Sequence, residues 1–470
     1  MSDPSLPAEY KEQILHMLGQ EEGSAFLNSY EQPRTFGLRI NSLKLKSDDS
    51  LTNIIRTFNL NPVPWCNTGY YYKEDTRPGK HPYHMAGLYY IQEPSAMSAV
   101  EMLDPQPGET ILDLAAAPGG KTTQIAAKMN GQGLLISNEI HPQRAKILAE
   151  NVERMGIRRA IVTQASPPEL SARFPLTFDR IMLDSPCSGE GMFRKDPSAI
   201  AEWSPDSVAL CASRQWDILQ DAIAMLKPGG TIAYSTCTFN RSENEEMIAR
   251  VLEAYPFMRL KAERRVWPHV QRGEGHYVAV LERDTLEEEQ AGLSKSGDKS
   301  QRKRGKSKRT GLEAGKELKN AWEAFTSWAR QALPGFKAIG GTPVLFGEAL
   351  YLLPQSQGLI LDIVQFSGIK LPRAGLHVGD YHKNRFIPAH ALAMASRPEE
   401  ASHSLPLEAD SPQLAAFLHG EALSVAPELR GWVLVTVLCG SASYPVGWGK
   451  ASNGQLKNHL PKGLRSHCCH

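Results

Sequence analysis

Residues 110–122 read TILDLAAAPGGKT, and this stretch decides the fold. The apolar run TILDL predicts a buried β-strand, and TTQIAAKM at residues 122–129 predicts an amphipathic helix. Between them lies a loop of alanine, proline and glycine, whose small side chains let a ligand approach the backbone closely. Open α/β sheets bind ligands at the carboxyl ends of their strands, so the stretch predicts a ligand site at such an edge.

The segment from about residue 106 to 283 continues this alternation of strands and helices. The strand-like runs that follow are GLLISNE, AIVTQ, FDRIMLD, GTIAYST and HYVAVLER. Their order predicts an α/β domain with a doubly wound, mostly parallel sheet. A long helix before GTIAYST should begin with Ser204 as its N-cap and Pro205 in its first turn, and should stop at Pro228-Gly-Gly.

The loop at residues 115–121 matches neither of two common nucleotide-binding motifs. A P-loop requires glycine where this chain has Ala115, and the dinucleotide motif G-x-G-x-x-G is absent. Tiny side chains and the amide groups of a helix N-terminus suit a carboxylate ligand, such as that of S-adenosylmethionine. Glu139 ends the next strand, twenty-six residues after Asp113, near the spacing at which an acid binds ribose hydroxyl groups. Capping of two strand ends is the alternative role for Asp113 and Glu139.

Two cysteines, Cys187 in DSPCSGEG and Cys237 in YSTCTF, each follow a strand-like run. Both thiols should therefore emerge at the carboxyl edge of one sheet, beside the predicted cofactor loop. A thiolate is a strong nucleophile, so the pair indicates covalent chemistry with a division of labour. Packing as small apolar side chains is the alternative for both.

Carbon 5 of a pyrimidine is a reaction centre that requires such a nucleophile. Addition of a thiolate to C6 gives an enamine whose C5 can attack a sulfonium methyl group. A base then removes the C5 proton and the thiolate is eliminated, and a second cysteine acting in release would explain the pair. Asp184, three residues before Cys187, can hydrogen-bond the polar edge of the base.

Several longer motifs carry a family resemblance. They are DLAAAPGGKT, DSPCSGEGMFRKDP, LKPGGTIAYSTCTFNRSENE and GEGHYVAVL, with RINSLK and YYIQEPSAM before them and GDYHKNRF and LKNHLPKGLR after them. With these motifs the chain resembles the Nop/Sun family of RNA cytosine-C5 methyltransferases, and within it the bacterial RsmF type that acts on 16S ribosomal RNA. The resemblance covers nearly the whole chain and is weakest at about residues 284–316.

The resemblance implies a Rossmann-like class I methyltransferase sheet, S-adenosylmethionine as cofactor, and ribosomal RNA, within the small subunit or its precursor, as partner. It implies that Cys237 attacks and Cys187 assists release, although DNA cytosine-C5 methyltransferases attack with a Pro-Cys cysteine like Cys187. Asp184 and Lys121 complete the expected catalytic set. Many members of the family place an Asp near the adenine amino group after the third strand, but this chain has no acid in VTQASPP at residues 162–168. Ser166 is therefore the expected adenine contact. The expected cofactor contacts are Ala115, Ala116, Ala117, Pro118, Gly119, Gly120, Lys121, Glu139, Arg144, Ser166 and Asp184.

The flanking regions predict RNA-binding modules. The expected divisions are an N-terminal α+β element at 1–105, the methyltransferase domain at 106–283, a basic linker at 284–316, a ferredoxin-like α+β module at 317–385 and a PUA-like α+β module at 386–470. Lys450, Lys457, Lys462 and Arg465, interleaved with Trp448 and His459, suit phosphate contacts and base stacking. Within RINSLK, fold support and RNA contact are equally favoured for Arg39 and Asn41.

Composition limits the remaining choices. The 470 residues carry a net charge of +1, and no apolar run approaches the roughly 20 residues of a membrane span. The N-terminal sequence lacks the pattern of a secretory signal, and the seven cysteines show no disulfide spacing. A cytoplasmic protein that does not associate with a membrane is therefore expected. The terminal HCCH at 467–470 is too crowded to predict a metal site, and no obligate protein partner is evident.

Two other functions fit parts of the sequence. An RNA-binding ribosome-assembly factor with a vestigial catalytic site would keep the flanking modules, but retention of both cysteines, Lys121 and Asp184 argues against it. A C5 methyltransferase acting on transfer RNA would keep the same chemistry. A DNA or small-molecule methyltransferase is disfavoured by the tail and by the Thr236-Cys-Thr motif.

Overall fold

The structure is a computed structural model that describes residues 5–285, 310–338, 340–356, 359 and 361–465. Most of the predicted basic linker and the terminal HCCH sequence lie outside these residues. The helices are α1 (Ala8–Leu18), α2 (Gln20–Asn28), α3 (Asp48–Phe58), α4 (Pro82–Met85), α5 (Ser98–Leu103), α6 (Gly120–Lys128), α7 (Pro142–Arg154), α8 (Pro167–Ser171), α9 (Pro197–Glu202), α10 (Pro205–Met225), α11 (Glu245–Ala254), α12 (Thr310–Ala332), α13 (His390–Ala395) and α14 (Pro412–His419).

The strands form four sheets within the described residues. They are β1 (Gly37–Ile40), β2 (Asn61–Val63), β3 (Cys66–Tyr71), β4 (Tyr89–Ile91), β5 (Thr110–Asp113), β6 (Leu134–Asn138), β7 (Ala160–Gln164), β8 (Phe178–Asp184), β9 (Leu226–Thr236), β10 (Met258–Val266), β11 (His276–Arg283), β12 (Gly341–Phe346), β13 (Ala349–Pro354), β14 (Lys370–Ala374), β15 (Leu376–His382), β16 (Arg385–Pro388), β17 (Ser404–Leu407), β18 (Leu423–Ser424), β19 (Gly431–Cys439), β20 (Ala442–Ser452) and β21 (Gln455–Asn458).

The central sheet has the order β10-β11-β9-β8-β5-β6-β7-β14. Strands β5 to β9 pair in parallel, whereas β11 runs antiparallel to both β9 and β10. Helices α10 and α11 contribute to one apolar core, and α5, α6 and α7 contribute to another. The predicted doubly wound, mostly parallel and Rossmann-like α/β sheet is confirmed. The antiparallel orientation of its strands β11 and β14 was not predicted.

The long helix α10 shows how local signals set the elements. The Ser204 hydroxyl accepts a hydrogen bond from the Ser207 amide, and Pro205 occupies the first turn, as predicted. The helix ends at Met225, three residues before Pro228, because the following residues already extend into β9. A residue that precedes proline is disfavoured in the helical region, which explains the early end.

Two elements next to the predicted sheet have weaker sequence signals. Strand β10 reads MRLKAERRV and is mostly exposed, so its charges hide the alternation by which strands are recognised. It is an edge strand, where charged side chains discourage pairing with other chains. Helix α11 lies in a segment for which no element was predicted.

The N-terminal region forms a second sheet in the order β2-β3-β1-β4, and it buries Arg39 and Asn41 of the RINSLK motif. Arg39 donates to the Gly120 carbonyl at 3.1 Å and to the Thr123 hydroxyl at 2.7 Å, so it bonds the first turn of α6. Asn41 donates to the carbonyls of Gly87 and Met155 at 2.8 and 2.9 Å. The fold-support alternative therefore describes both residues.

The first C-terminal module contains the antiparallel sheet β12-β13-β15-β16. Its strands follow chain order, whereas a ferredoxin-like fold needs a β-α-β-β-α-β succession, so the ferredoxin-like prediction is wrong for this module. Strand β14 leaves the module and pairs antiparallel with β7, at the edge of the central sheet. The end of the predicted strand GLILDIV is also wrong, because Ile363–Phe366 forms a 3-10 turn, whereas residues 358 and 360 lie outside the described part of the chain. The predicted boundary at 385 falls inside the β15–β16 hairpin.

The last sheet, β17-β19-β20-β21-β18, lies where the PUA-like module was predicted. Its residues Val433 and Val437 share one apolar core with Leu38 and Phe58 of the N-terminal region. The Ser50 hydroxyl also donates to the Cys439 carbonyl at 2.7 Å. The first and last parts of the chain therefore pack together. No helix in the described part of the chain is long and apolar enough to cross a membrane.

Candidate active site

The two predicted cysteines lie at the carboxyl ends of neighbouring parallel strands. Strands β8 and β9 pair with Asp184 opposite Ser235, so the loops that carry Cys187 and Cys237 leave the sheet side by side. The two Sγ atoms are 3.4 Å apart, and both residues are partly exposed. The hydrogen bond to Cys237 and burial hold the pKa of the Cys187 thiol well above its usual value, so Cys187 is a neutral thiol near pH 7.

A buried carboxylate joins the loops that follow the two cysteines. Glu243 accepts hydrogen bonds from the Ser188 amide (3.0 Å), the Ser188 hydroxyl (2.5 Å), the Asn240 amide group (2.6 Å) and the Gln215 amide group (2.7 Å). Ser188 follows Cys187, and Asn240 belongs to the loop after Cys237. Burial raises the pKa of Glu243 despite these donors. Glu243 was not predicted from the sequence, although it lies in the motif segment FNRSENE at residues 239–245.

Glu190 forms a second link between the same loops. Its carboxylate accepts from the backbone amides of Phe239 and Asn240 at 2.7 and 3.0 Å, and from the Trp203 indole at 3.1 Å. The Gly191 amide donates to the Cys237 carbonyl at 2.8 Å. Together Glu243 and Glu190 fix the two cysteine loops relative to each other.

Asp184 lies at the centre of a polar cluster beside the cysteines. Its carboxylate accepts from Lys121 Nζ at 2.6 Å and from the Ser235 hydroxyl at 2.8 Å, and His276 Nε2 is 3.8 Å away. Burial alone would raise the pKa of Asp184, but the Lys121 ammonium group and the hydrogen bonds from Lys121 and Ser235 more than offset it, and the pKa is lowered. Asp184 is therefore ionised and the predicted Lys121–Asp184 pair is formed. His276 was not predicted as a site residue, although it lies in the motif GEGHYVAVL.

The alanine-glycine loop follows β5, as the sequence predicted. The Ala116 amide donates to the Asn138 carbonyl at 2.8 Å, and the Pro118 carbonyl accepts from Asn151 at 2.9 Å. At Gly120 a Cβ atom would come within 3.3 Å of the Gln92 side chain, so a larger residue would crowd the first turn of α6. Asp113 is fully buried, and burial raises its pKa to about 7 although the Thr122 hydroxyl donates to it at 2.5 Å.

The remaining predicted cofactor contacts lie around this loop. Glu139 is buried after β6 and accepts from the His141 amide at 3.0 Å. Arg144 bridges Glu139, at 3.5 Å, and the Ala117 carbonyl, at 3.0 Å. Ser166 caps α8, and both its hydroxyl and its amide donate to Glu169 at 2.8 Å. The Ser166 hydroxyl proton is therefore engaged within α8.

One cavity of about 280 Å³ joins these features. Its wall includes the loop at 115–118 with Gly120, the pair Lys121 and Asp184, and the thiol-bearing Cys237. His276 lies in the same wall. Glu139, Arg144, Ser166 and Cys187 do not line this cavity; Cys187 reaches it through its contact with Cys237. In the described part of the chain, no group of three His, Cys, Asp or Glu residues could hold a metal ion.

The predicted basic cluster of the last module is only partly arranged as expected. Lys450, Lys457 and Lys462 are exposed, but Trp448 is 1% exposed and donates to the Ala389 carbonyl. Trp448 cannot stack on RNA, because its side chain points from β20 into the apolar core. Trp432, on the paired strand β19, is half-buried instead, with Lys450 Nζ 5.6 Å from its ring and the His459 ring 4.6 Å away.

Comparison with family models accounts for most of the chain. The model described as "16S rRNA methyltransferase RsmB/F" matches residues 100–282, and the N-terminal domain of 16S rRNA methyltransferase RsmF matches 6–94. The RsmF rRNA methyltransferase first C-terminal domain matches 327–395, and the methyltransferase RsmF PUA domain matches 404–466.

Whole-chain relatives and solved structures agree with these models. Ribosomal RNA small subunit methyltransferase F of Salmonella paratyphi A is 31% identical, covering 93% of this chain and 92% of that protein. The Vibrio vulnificus protein of the same name is 32% identical, with 98% of each covered. The crystal structure of a methyltransferase homologue from Pyrococcus horikoshii is 27% identical with a TM-score of 0.52, covering 59% of this chain and all of that one. NSun6 from Pyrococcus horikoshii, 21% identical with a TM-score of 0.53, covers 59% of this chain and 98% of its own and shares the fold. The chain belongs to the RsmF family of S-adenosylmethionine-dependent 16S ribosomal RNA methyltransferases.

Proposed function

We propose that this protein transfers a methyl group from S-adenosylmethionine to carbon 5 of a cytosine in small-subunit ribosomal RNA. The observation that carries the proposal is the single cavity in which the alanine-glycine loop, Asp184 and Cys237 meet, with Cys187 Sγ 3.4 Å from Cys237 Sγ. An amine or hydroxyl methyltransferase needs no enzyme nucleophile, whereas C5 of a pyrimidine does.

The residues around the loop suit S-adenosylmethionine. The glycines, which have no side chain, and the short alanines leave room along one wall, and buried Glu139 ends the neighbouring strand, where ribose hydroxyl groups would find an acceptor. Ala115, Ala116, Ala117, Pro118, Gly119, Gly120 and Lys121 would hold the cofactor, with Glu139 on the ribose and Arg144 orienting Glu139. When bound, the cofactor supplies an electrophilic methyl group.

Cys237 would act as the nucleophile. Its thiolate forms the S–C6 bond, and the C5–C6 electron pair moves through the ring towards N3, which makes C5 nucleophilic. Asp184 would accept a hydrogen bond from the polar edge of the base, held in place by Lys121 and Ser235. After methylation, a general base takes the C5 proton, the C–H electron pair restores the C5–C6 double bond, and the S–C6 bond breaks so that Cys237 leaves as a thiolate.

Cys187 would assist this release. The hydrogen bond to Cys237 and burial raise the pKa of Cys187, so a proton is held between the two sulfur atoms, where it can be relayed during release. The assignment of attack to Cys237 and release to Cys187 is the one that the family resemblance implies. The Glu243 and Glu190 contacts would keep the two thiols at their short separation.

The flanking modules would deliver the RNA. We propose an N-terminal element at 1–105 and a methyltransferase domain at 106–283, supported by family matches at 6–94 and 100–282. We propose that the first C-terminal module begins with α12 and ends near residue 395, where its family match ends, and that the last module follows it. Ribosomal RNA within the small subunit or its precursor would be the partner, supported by the match to an RsmF PUA domain and by exposed Lys450 and Lys457. This substrate favours a cytoplasmic location for the protein, because bacterial ribosomal subunits are assembled in the cytoplasm.

Methylation of defined RNAs tests the proposal. The protein is incubated with methyl-labelled S-adenosylmethionine and unmodified 16S ribosomal RNA, free or in reconstituted small subunits, with bulk transfer RNA as a parallel substrate. We expect label in 16S ribosomal RNA and, after nuclease digestion, in 5-methylcytidine. Label confined to transfer RNA would assign the alternative substrate, and absence of 5-methylcytidine from every RNA would refute the proposed reaction.

A further inference from the structure

His276 is a buried side chain in the catalytic cavity whose position follows from strand register. Strands β11 and β9 pair with Tyr277 opposite Thr236, so the next position along the ladder brings His276 beside Cys237. Residues directly opposite each other in an antiparallel pair lie on the same face of the sheet. Both residues accordingly line the same cavity, and His276 is only 3% exposed.

The Nε2 atom of His276 has no hydrogen-bond partner among the described residues. Buried polar atoms are nearly always paired, because an unpaired one loses its hydration without compensation. Asp184 Oδ1 is 3.8 Å from Nε2, too far for a hydrogen bond. The unpaired nitrogen lies in the wall of the cavity that contains Asp184 and Cys237, so a ligand in that cavity can supply the missing partner.

The surroundings of His276 determine what Nε2 offers to a ligand. Burial and the nearby Lys121 lower the pKa of His276 to about 3, although Asp184 opposes them, so the ring is neutral at physiological pH. A neutral imidazole carries one N–H group. The carboxylate of Asp184 favours that proton on Nε2, since a lone pair there would face the negative charge. The cavity therefore presents an N–H donor and a carboxylate acceptor, 3.8 Å apart.

A cytosine ring presents the complementary pattern on one edge. Its N4 amino group is a donor and its adjacent N3 is an acceptor, whereas uracil presents an acceptor at C4 and a donor at N3. We infer that His276 and Asp184 read the target base together, with His276 Nε2–H donating to N3 and Asp184 accepting from the N4 amino group. This inference rests on the proposed function and adds a base-reading residue to it.

The same contact would assist the reaction. When Cys237 adds to C6, electron density moves towards N3, and an N–H group already aimed at N3 binds more strongly as that charge develops. When Cys237 leaves, the charge on N3 disperses and the hydrogen bond from His276 weakens again. His276 would therefore contribute both to the choice of cytosine and to the rate of the addition step.

Kinetics of variants at this position test the inference. H276F removes the donor and keeps a ring, whereas H276Q keeps a donor at the position of Nε2. We expect H276F to lower kcat/KM on 16S ribosomal RNA by about 10- to 100-fold, with S-adenosylmethionine affinity unchanged and most activity kept by H276Q. H390F is the matched control, because His390 is half-buried and also has a buried, unpaired ring nitrogen, but it lies in α13, outside the cavity.

Binding of modified RNA gives a second measurement. A short RNA with cytosine at the mapped target position is compared with the same RNA carrying 3-deazacytosine, which lacks the N3 acceptor. Wild-type protein saturated with S-adenosylhomocysteine should prefer cytosine by about tenfold, and H276F should bind both within twofold. An H276F variant with wild-type kcat/KM, or with an undiminished preference for cytosine, would overturn the inference alone. Wild-type protein that makes no 5-methylcytidine would overturn the proposed function and this inference with it.

Discussion

Glu243 offers the sharpest test of how the two cysteine loops are held. Its Oε1 accepts from the Ser188 amide and from Gln215, and its Oε2 accepts from the Ser188 hydroxyl and from Asn240. In E243Q one oxygen becomes an amino group that can only donate. If the amino group replaces Oε2, the Ser188 hydroxyl can rotate and accept, but the Asn240 amide group then faces another donor.

The expected cost of E243Q follows from this count. The Asn240 amide group loses its shortest acceptor, at 2.6 Å, and keeps longer contacts to Thr238 and Glu190 at 3.0 and 3.2 Å. Loss of this hydrogen bond to a charged group destabilises the protein by about 1–3 kcal/mol. For a domain of this size that corresponds to a melting temperature lower by roughly 2–12 °C. The two hydrogen bonds from Ser188, in the other cysteine loop, also lose their charged acceptor, so the thiols should shift. A displacement near 1 Å lowers kcat by about 100-fold.

Thermal unfolding and methyl transfer to 16S ribosomal RNA measure the two effects. E246Q is the matched control, because Glu246 lies three residues away, is 62% exposed and reaches Arg241 only at 3.9 Å. It should leave both the melting temperature and kcat unchanged. If E243Q behaves like E246Q in both assays, the Glu243 contacts do not position the cysteines and the reasoning fails.

Three further predictions concern other parts of the molecule. In denaturing gels with labelled RNA, C187A should accumulate a covalent protein–RNA adduct and C237A should form neither adduct nor product; an adduct with C237A alone would reverse the two roles. Burial raises the pKa of Asp113 to about 7, above its value in the unfolded chain. The contribution of Asp113 to stability is therefore full below about pH 4 and is lost as the pH rises through 7. Between pH 6 and 8 the melting temperature of D113N should fall less than that of wild type, and parallel curves would contradict this. The double variant K450A/K457A should weaken 16S ribosomal RNA binding and reduce the slope of log Kd against log salt concentration by about 1–2. K146A on α7, whose exposed side chain lies outside the catalytic cavity, should change neither the affinity nor the slope. Equal slopes for the two variants would exclude a phosphate contact at Lys450 and Lys457.

The catalytic sheet could be predicted from the sequence because its strands are short apolar runs between amphipathic helices. Strands buried on both faces need no side-chain alternation to be recognised, and β5 and β6 are buried throughout. The same logic placed Cys187 and Cys237 at one edge, since both follow such strands. The register of β8 against β9 then brings the thiols within contact, which spacing along the chain could not specify.

Other features depend on contacts that no local pattern encodes. Trp448 and Trp432 lie on paired strands, and which of them faces the core depends on how β20 packs on α13. Glu243 and Glu190 look like surface acids until the loops that donate to them are assembled. His276 looks like part of an apolar strand, HYVAVLER, and its chemistry appears only when β11 inserts next to β9.

The pairing of β14 with β7 makes the catalytic sheet a product of two distant stretches of the chain. A fragment ending near residue 283 would leave the backbone groups of β7 without this partner along an open edge, and such edges recruit strands from other molecules. The methyltransferase region is therefore poorly suited to separate expression, even though it contains every proposed catalytic residue. Insertions, fusions and truncations of this protein should leave residues 370–374 intact, because these residues form part of the catalytic sheet.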